Sequence, residues 1–488
     1  MTARRACDRC YRYKEKCVFQ DDGKTCTPCK RVGRTCTTLR SLPRQGRRPT
    51  SKRLGPGSSV QVWEVTSTTT ATSESTSTPS YVGASVAGGC SPTIYDNEVY
   101  SNDAHFQTLV PGPYTYRFQD NLNELFHSSP KIIEGFYSTY DLFMLGPTFV
   151  PRYRAAIRQS YICSPVLLQD IYAAMFNACK RARVGSGAFD VSELAPGAMS
   201  LRKLRTTRVG GLQDALAMLA LGQTLAAFDY LTVCVGPSLI LRYTLSSIRP
   251  WYEELGGDAT FDPLTVGPIF WDTVSCLLRR EIPILQFWPR EGHIVHHMVG
   301  LCTTLLPIFY DLCVVIKRLK NRSSYSWSEG NARIRQIEQR LLSWTPKAPH
   351  DFISTFSRQE ILAMKAQAQM YRSAGLLIAH RTLHPLGTGD DLATSYANTI
   401  IFEFTQYQTS MEPGAGLHNV AFPIFMASLE ILEIPKEVWK SIPSLALAPL
   451  CFAKMQALRA YVWAERRAST TRFMLDLVDE GPYFVVMP

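Results

Sequence analysis

Residues 7–36 read CDRCYRYKEKCVFQDDGKTCTPCKRVGRTC and hold six of the chain's 14 cysteines. Each half has the spacing Cys-x2-Cys-x6-Cys, and a loop of eight residues separates Cys17 from Cys26. A Cys-x2-Cys pair places two thiolates on one side of a turn, about 2.3 Å from a shared metal ion. Disulfide bonds are the alternative. The N-terminus, MTARRACDRC, has no apolar stretch of signal-peptide length, so we predict a reducing compartment and metal ligation.

The number of cysteines limits the kind of metal site. Six thiolates are too many for one tetrahedral zinc and two too few for two separate zinc sites. Two bridging thiolates solve the count, because six sulfurs then form eight Zn–S bonds. All-sulfur tetrahedral ligation favours zinc over a hard cation, and an iron–sulfur cluster would leave two cysteines idle. We therefore predict a binuclear zinc cluster, and we expect residues 1–40 to be unfolded without metal. Its predicted ligands are Cys7, Cys10, Cys17, Cys26, Cys29 and Cys36.

This spacing, with the flanking sequences Ala6–Cys10 (ACDRC) and Lys14–Cys17 (KEKC), resembles the fungal binuclear zinc cluster (Zn2Cys6) transcription factors. The resemblance covers about 35 residues, but its motif is specific. It implies that the first cysteine of each half, Cys7 and Cys26, bridges the two metals. One Zn2+ would then also bind Cys10 and Cys17, and the other Cys29 and Cys36.

Charge supports a nucleic-acid partner for this segment. Residues 1–53 contain 16 Lys and Arg against 4 Asp and Glu, whereas the remaining residues contain 36 against 37. A folded module this basic is the electrostatic footprint of DNA binding. The resemblance implies that Lys14 reads guanines of a CGG triplet in the major groove, where guanine O6 and N7 accept hydrogen bonds. We assign Lys16, Arg9, Arg12 and Tyr13 to phosphate or sugar contacts.

A second basic segment follows the cysteines. Residues 40–53 contain six Lys or Arg and no acidic residue. The segment suits a nuclear localisation signal or a flexible arm that follows DNA phosphates, and simple solubilising charge is a third interpretation. Its predicted functional residues are Arg44, Arg47, Arg48, Lys52 and Arg53. Residues 39–65 show no sustained heptads, so monomeric binding and a homodimer formed through the helical region both stay open.

Composition divides the rest of the chain. We predict a Zn2Cys6 DNA-binding domain at 1–40, a basic and then Ser/Thr-rich disordered linker at 41–120, and a large all-α regulatory domain at 121–488. In the linker, 12 of the 15 residues from Thr66 to Ser80 are Ser or Thr, too polar to form a core. Asp214–Phe228, Ala332–Leu342 and Ile361–His380 carry apolar residues at the spacing of helices.

Several features of the predicted helical domain carry further expectations. The scattered cysteines, among them Cys179, Cys234 and Cys276, are predicted to be buried free thiols. His293, His296 and His297 have helical metal-ligand spacing, but no third ligand is indicated, so we interpret them as ordinary histidines on a helix. Asp390 is predicted to begin a helix. The apolar tail 481–488 is predicted to dock on the domain, with a short partner peptide as the alternative.

Together these features predict a nuclear, sequence-specific regulator of RNA polymerase II genes, with Zn2+ as cofactor and no enzymatic activity. Double-stranded DNA with CGG sites and the transcription machinery are the predicted partners, and no membrane is expected. By analogy with the family, we expect a pathway-specific regulator, preferably an activator, of a secondary-metabolite gene cluster. A regulator of a catabolic or nutrient-utilisation pathway is the alternative. From other classes, a zinc-stabilised protein-interaction module and an enzyme in the helical domain also stay open.

Overall fold

The structure is a computed structural model that describes residues 6–12, 17–19, 25–33, 36–38, 143–185, 189–288, 290, 294–321, 326–411, 416–468 and 471–488. The chain divides into two compact units, Met1–Tyr95 and Asp96–Pro488. The predicted linker, 41–120, lies outside the described residues, so its disorder and the domain boundaries stay predictions. The small cysteine-rich module and the large all-α domain confirm the predicted fold class for the described parts of the chain.

Two short helices organise the described part of the small unit. Helix α1 (Asp8–Arg12) follows Cys7, and helix α2 (Thr27–Arg31) follows Cys26, which is the N-cap residue of α2. The Asp8 amide donates to the Thr37 carbonyl oxygen (2.7 Å), and the Thr27 amide donates to the Val18 carbonyl oxygen (2.8 Å). Each half of the sequence repeat therefore contains a helix in the described residues. The first residue of each helix is hydrogen-bonded to a residue outside that helix.

Within its described residues, the large unit is built from helices. Its first half contains α3 (Val150–Cys163), α4 (Pro165–Val184), α5 (Val191–Thr206), α6 (Leu212–Thr232), α7 (Pro237–Ile248), α8 (Tyr252–Gly257) and α9 (Asp262–Arg279). Its second half contains α10 (Leu306–Asn321), α11 (Trp327–Ser343), α12 (Phe352–Thr355), α13 (Arg358–Leu383), α14 (Asp390–Thr409), α15 (Ala421–Glu430), α16 (Lys436–Lys440), α17 (Pro443–Leu447), α18 (Pro449–Ala468) and α19 (Met474–Glu480). Short 3-10 turns cover Pro147–Phe149, Arg249–Trp251, Ala259–Phe261 and Cys302–Leu305.

Helix α6 forms the centre of the first half. It packs against α3, α4, α5 and α7, and also against α18 from the second half. By length and composition α6 could cross a membrane, but 89% of its most apolar window is buried inside the domain, as in the core helix of a soluble protein. At its crossing with α7, a Cβ added to Gly222 would overlap the Thr244 side chain. Glycine at this position lets the two helices approach closely.

Helix α13 has the same central role in the second half, where it packs against α11, α14 and α15. Ser357 and Glu360 form a capping box at its start. Glu360 also accepts hydrogen bonds from the Thr148 amide (2.9 Å) and hydroxyl (2.8 Å). The first turn of α13 is therefore attached to a segment more than 200 residues earlier in the chain.

Most of the predicted local structure of this unit is confirmed. Asp214–Phe228, Ala332–Leu342 and Ile361–His380 lie inside α6, α11 and α13, and Asp390 begins α14. The tail is docked as expected, with Phe484, Val485, Val486 and Met487 all buried.

Candidate metal centre

The structure brings the six N-terminal cysteines together as two groups of four. Cys7, Cys10, Cys17 and Cys26 form one group, and Cys7, Cys26, Cys29 and Cys36 form the other. Within each group all sulfur atoms lie within 4.8 Å of one another. The groups share Cys7 and Cys26, the same two residues for which the family resemblance implies a bridging role.

Distances between sulfur atoms test whether metal ions would fit. The Cys7 sulfur lies 3.7 Å from the Cys26 sulfur and 3.6 Å from the Cys29 sulfur, and the Cys10 and Cys26 sulfurs are 3.6 Å apart. In a regular tetrahedron with Zn–S bonds of about 2.3 Å, neighbouring sulfurs are about 3.8 Å apart. The donor set therefore fits two tetrahedral ions that share an edge.

Backbone geometry repeats between the two halves. The Cys7 amide donates to the Cys17 sulfur (3.3 Å), and the Cys26 amide donates to the Cys36 sulfur (3.5 Å). In both cases donor and acceptor are ten residues apart. These bonds supply hydrogen-bond donors to thiolate sulfurs and orient each half around its own group of four.

Ionisation of these thiols is strongly interdependent. Burial raises the pKa of Cys7, but hydrogen bonds from the Cys10 amide and from nearby thiols outweigh it and lower the pKa to about 6. Burial raises the pKa of Cys29 to about 12, and negative charge on Cys7 and Cys26 adds to the increase. A thiolate at one cysteine therefore opposes ionisation of its neighbours. Six thiolates in this volume need cations to balance their charge.

Few of the predicted DNA-contacting side chains lie in the described part of the chain. Arg9 lies partly exposed on α1, and Arg12 ends the same helix. Lys14, Lys16 and Tyr13 lie outside the described residues, as do the basic-segment residues Arg44, Arg47, Arg48, Lys52 and Arg53. Their roles stay predictions.

Sequence reasoning missed two cations that the structure presents. Lys30 and Arg31 are exposed on α2, directly after the buried Cys29. The repeat could have shown them, because they occupy the positions that Tyr11 and Arg12 hold in the first half. In the same alignment Gly33, which has a φ of +64°, corresponds to Lys14. The two halves therefore carry different residues at matching positions of the repeat.

The histidine interpretation was partly wrong. His296 and His297 are ordinary buried residues, but they lie in a loop rather than on a helix, and His293 lies outside the described residues. The His296 Nδ1 accepts from the Met298 amide (3.2 Å), and burial lowers its pKa to about 3. The described residues that could hold a metal ion are only the two cysteine groups. We interpret His296 as a neutral core residue that closes a tight loop.

The expectation for the scattered cysteines also needs one correction. Cys179 and Cys276 are buried free thiols as predicted, but Cys234 forms a disulfide with Cys451. The two residues are 217 positions apart, and their Cα atoms lie 5.8 Å apart. No local pattern could indicate this pairing, because the packing of α6 against α18 brings the two residues together.

Comparison with known proteins adds information about the helical unit. Residues 266–441, from within α9 to the end of α16, match the family model of the fungal specific transcription factor domain. Such a domain is typical of fungal zinc cluster regulators, although no family model matches the cysteine cluster itself. No curated protein and no solved structure matches the chain.

The family resemblance of the N-terminal motif is thus confirmed by a separate part of the chain. The match to a fungal transcription factor domain supports a transcription regulator, and the N-terminal cysteine groups could bind metal ions.

Proposed function

We propose that the protein is a nuclear, sequence-specific DNA-binding regulator of RNA polymerase II transcription that binds two Zn2+ ions. The observation that carries the proposal is the pair of four-sulfur groups that share Cys7 and Cys26. Four protein ligands per ion leave no open coordination position, which suits a structural zinc site rather than a catalytic one. The matched domain supports regulation over catalysis.

In this proposal zinc supplies folding energy, and the surrounding residues supply the DNA contacts. Bound Zn2+ neutralises thiolate charge and holds α1 and α2 in place. Lys14 donates to guanine O6 and N7 of a CGG triplet, while Arg9, Arg12, Lys16 and Tyr13 contact phosphates or sugars. Exposed Lys30 and Arg31 give α2 a second set of phosphate contacts. These contacts position the module without reading sequence.

The basic segment would act beside the zinc cluster. Arg44, Arg47, Arg48, Lys52 and Arg53 form a nuclear localisation signal, an arm along DNA, or both. For the helical unit we propose contacts with the transcription machinery, and with a second copy where the protein binds as a homodimer. The physiological role we favour is activation of a secondary-metabolite gene cluster, with a catabolic pathway as the alternative.

A DNA-binding titration tests the assigned contacts. Lys14→Ala should weaken binding of the full chain to a CGG duplex by about 1–3 kcal/mol and reduce discrimination against altered triplets. Lys30→Ala is the matched control, because loss of one phosphate contact should weaken binding to all duplexes and reduce the salt slope by about one. Unchanged binding by Lys14→Ala would remove this residue from base reading.

Metal analysis and genome-wide occupancy test the broader function. Two zinc equivalents that are lost together with DNA binding on chelation would support the cluster, and a full chain that binds CGG duplexes without zinc would contradict it. Occupancy at a few neighbouring promoters, with their transcripts falling in a deletion strain, would support a pathway-specific activator. Rising transcripts would indicate a repressor. An absence of enrichment would leave an interaction module as the better interpretation.

A further inference from the structure

The disulfide between Cys234 and Cys451 joins two distant parts of the helical unit. Cys234 lies in the turn between α6 and α7, and Cys451 lies in the first turn of α18. One cysteine precedes the matched segment 266–441 and the other follows it. The oxidised pair therefore closes a loop that contains the whole matched segment. Its Cα separation of 5.8 Å lies within the range that disulfides require.

Two features near Cys451 would partly offset the cost of burying its thiolate when the bond is reduced. Cys451 is the third residue of the 20-residue helix α18, where the positive end of the helix dipole stabilises a negative charge. Lys454 lies one turn further along, and its Nζ donates to the Cys234 carbonyl oxygen at 2.7 Å. An ammonium group is thus held against the Cys234 backbone, in addition to the helix N-terminus at Cys451.

Both redox states are compatible with the fold. In the reduced state, the Cys451 thiol has an acceptor, because its sulfur lies 3.4 Å from the Tyr230 carbonyl oxygen. Both cysteines are fully buried, but their sequence neighbours Val235 and Leu450 are exposed. Each cysteine is therefore next to an exposed residue in the sequence, and an oxidant reaches the sulfurs only after a local opening of this turn.

The C-terminal tail covers this region. The Tyr483 hydroxyl donates to the Val235 carbonyl oxygen at 2.5 Å, and its ring lies 5.3 Å from the Lys454 Nζ. The Phe484 ring stacks on Phe425, with centroids 5.7 Å apart. The turn that holds Cys234, the helix that holds Cys451 and the tail are therefore in mutual contact, so a change at the sulfurs would reach all three.

We propose that Cys234 and Cys451 form a reversible, redox-controlled disulfide that is oxidised by hydroperoxides. The Cys451 thiolate attacks one peroxide oxygen, which breaks the O–O bond and yields a sulfenic acid and, after protonation, water. The Cys234 thiolate then attacks the sulfenic sulfur, an S–S bond forms, and a second water leaves. Two thiols and one hydrogen peroxide thus become one disulfide and two waters. A dithiol reductant reverses the step by thiol–disulfide exchange.

The direct test titrates the zinc-loaded full chain, first reduced, with hydrogen peroxide and then alkylates the remaining thiols. A cross-linked Cys234–Cys451 peptide should accumulate with a mass decrease of about 2 Da per chain, and dithiothreitol should remove it without denaturant. Oxidation should also slow native-state proteolysis in the turn at 233–236 and in the tail several-fold. Cys163→Ser is the matched control for cysteine replacement, since Cys163 is a partly buried free thiol, and it should behave like the unchanged chain.

Lys454→Met keeps both cysteines and tests the role of the ammonium group. Oxidation should become several-fold slower, whereas Lys440→Met, at an exposed lysine, should leave the rate unchanged. Three results would overturn the proposal. One is a pair that stays reduced in the folded chain, another is a cross-link that resists dithiothreitol under native conditions, and the third is zinc release before any cross-link forms. Because the readouts are thiols, zinc and proteolysis, the test is independent of DNA binding.

Discussion

Replacement of Arg381 by methionine tests the buried ion-pair network of the helical unit. The Arg381 side chain is fully buried, and its Nε and Nη2 each donate to a Glu430 carboxylate oxygen at 2.7 Å. Nη2 also donates to Asp390 at 2.7 Å, and Nη1 donates to the carbonyl oxygens of Pro385 and Thr388. One side chain therefore joins α13 to α15, to the start of α14 and to the loop between α13 and α14.

Removal of the guanidinium group would leave the Glu430 carboxylate buried, with Arg466 as its remaining partner at 3.0 Å. Breaking one side of a buried pair costs about 3–5 kcal/mol, because an uncompensated charge stays in a medium of low dielectric. We expect Arg381→Met to lower the free energy of unfolding by about 4 kcal/mol. The double variant Arg381→Met/Glu430→Met should recover part of this loss, because the unpaired carboxylate is also removed.

Urea unfolding of the full chain, followed by tryptophan fluorescence, measures these differences. Arg340→Met is the matched control, because Arg340 pairs with Asp311 at 2.6 Å and both side chains are more than 40% exposed. An exposed pair of this kind contributes less than about 1 kcal/mol. The reasoning would be refuted if Arg381→Met and Arg340→Met lowered the free energy of unfolding equally.

Two further predictions concern the first half of the helical unit. Gly222→Ala should lower the free energy of unfolding by about 1–3 kcal/mol in the same urea assay, because its Cβ overlaps Thr244. Gly257→Ala, where a Cβ would meet open space, should have little effect. Burial raises the pKa of Asp229 to about 6, although the Gly236 and Val235 amides and Lys454 oppose the increase. Its stabilising contribution is therefore present at low pH and lost as the pH rises through about 6. Between roughly pH 4 and pH 7 the free energy of unfolding should fall by up to about 3 kcal/mol, and Asp229→Asn should abolish this fall.

Each of these predictions has a clear contrary result. Equal stability of the Gly222→Ala and Gly257→Ala variants would show that α6 and α7 separate without cost. A pH profile of unfolding that Asp229→Asn leaves unchanged would show that Asp229 titrates in the folded chain as it does when unfolded.

Local sequence patterns were enough to predict the grouping of the cysteines and the positions of several helices. The Cys-x2-Cys-x6-Cys repeat indicated metal ligation, because cysteines at such short spacing meet in almost any compact turn. The apolar spacing of Ile361–His380 predicted α13, because residues three and four apart share one face of a helix. The helix start at Asp390 followed in the same way from its position after Gly387-Thr388-Gly389. Each of these predictions depends on neighbours within a few residues.

Tertiary structure alone decided which distant groups meet. The sequence gives no sign that Arg381 pairs with Glu430, 49 residues away, or that Cys234 lies beside Cys451. It also placed His296 on a helix, because helical spacing cannot show that the chain forms a tight loop between His296 and Gly300. Periodicity records which face of an element is apolar, whereas long-range partners depend on how those faces pack, and many distant pairs have the same local pattern. The grouping of the six cysteines was therefore predictable from sequence, while the buried ion pairs and the disulfide required the packed helices.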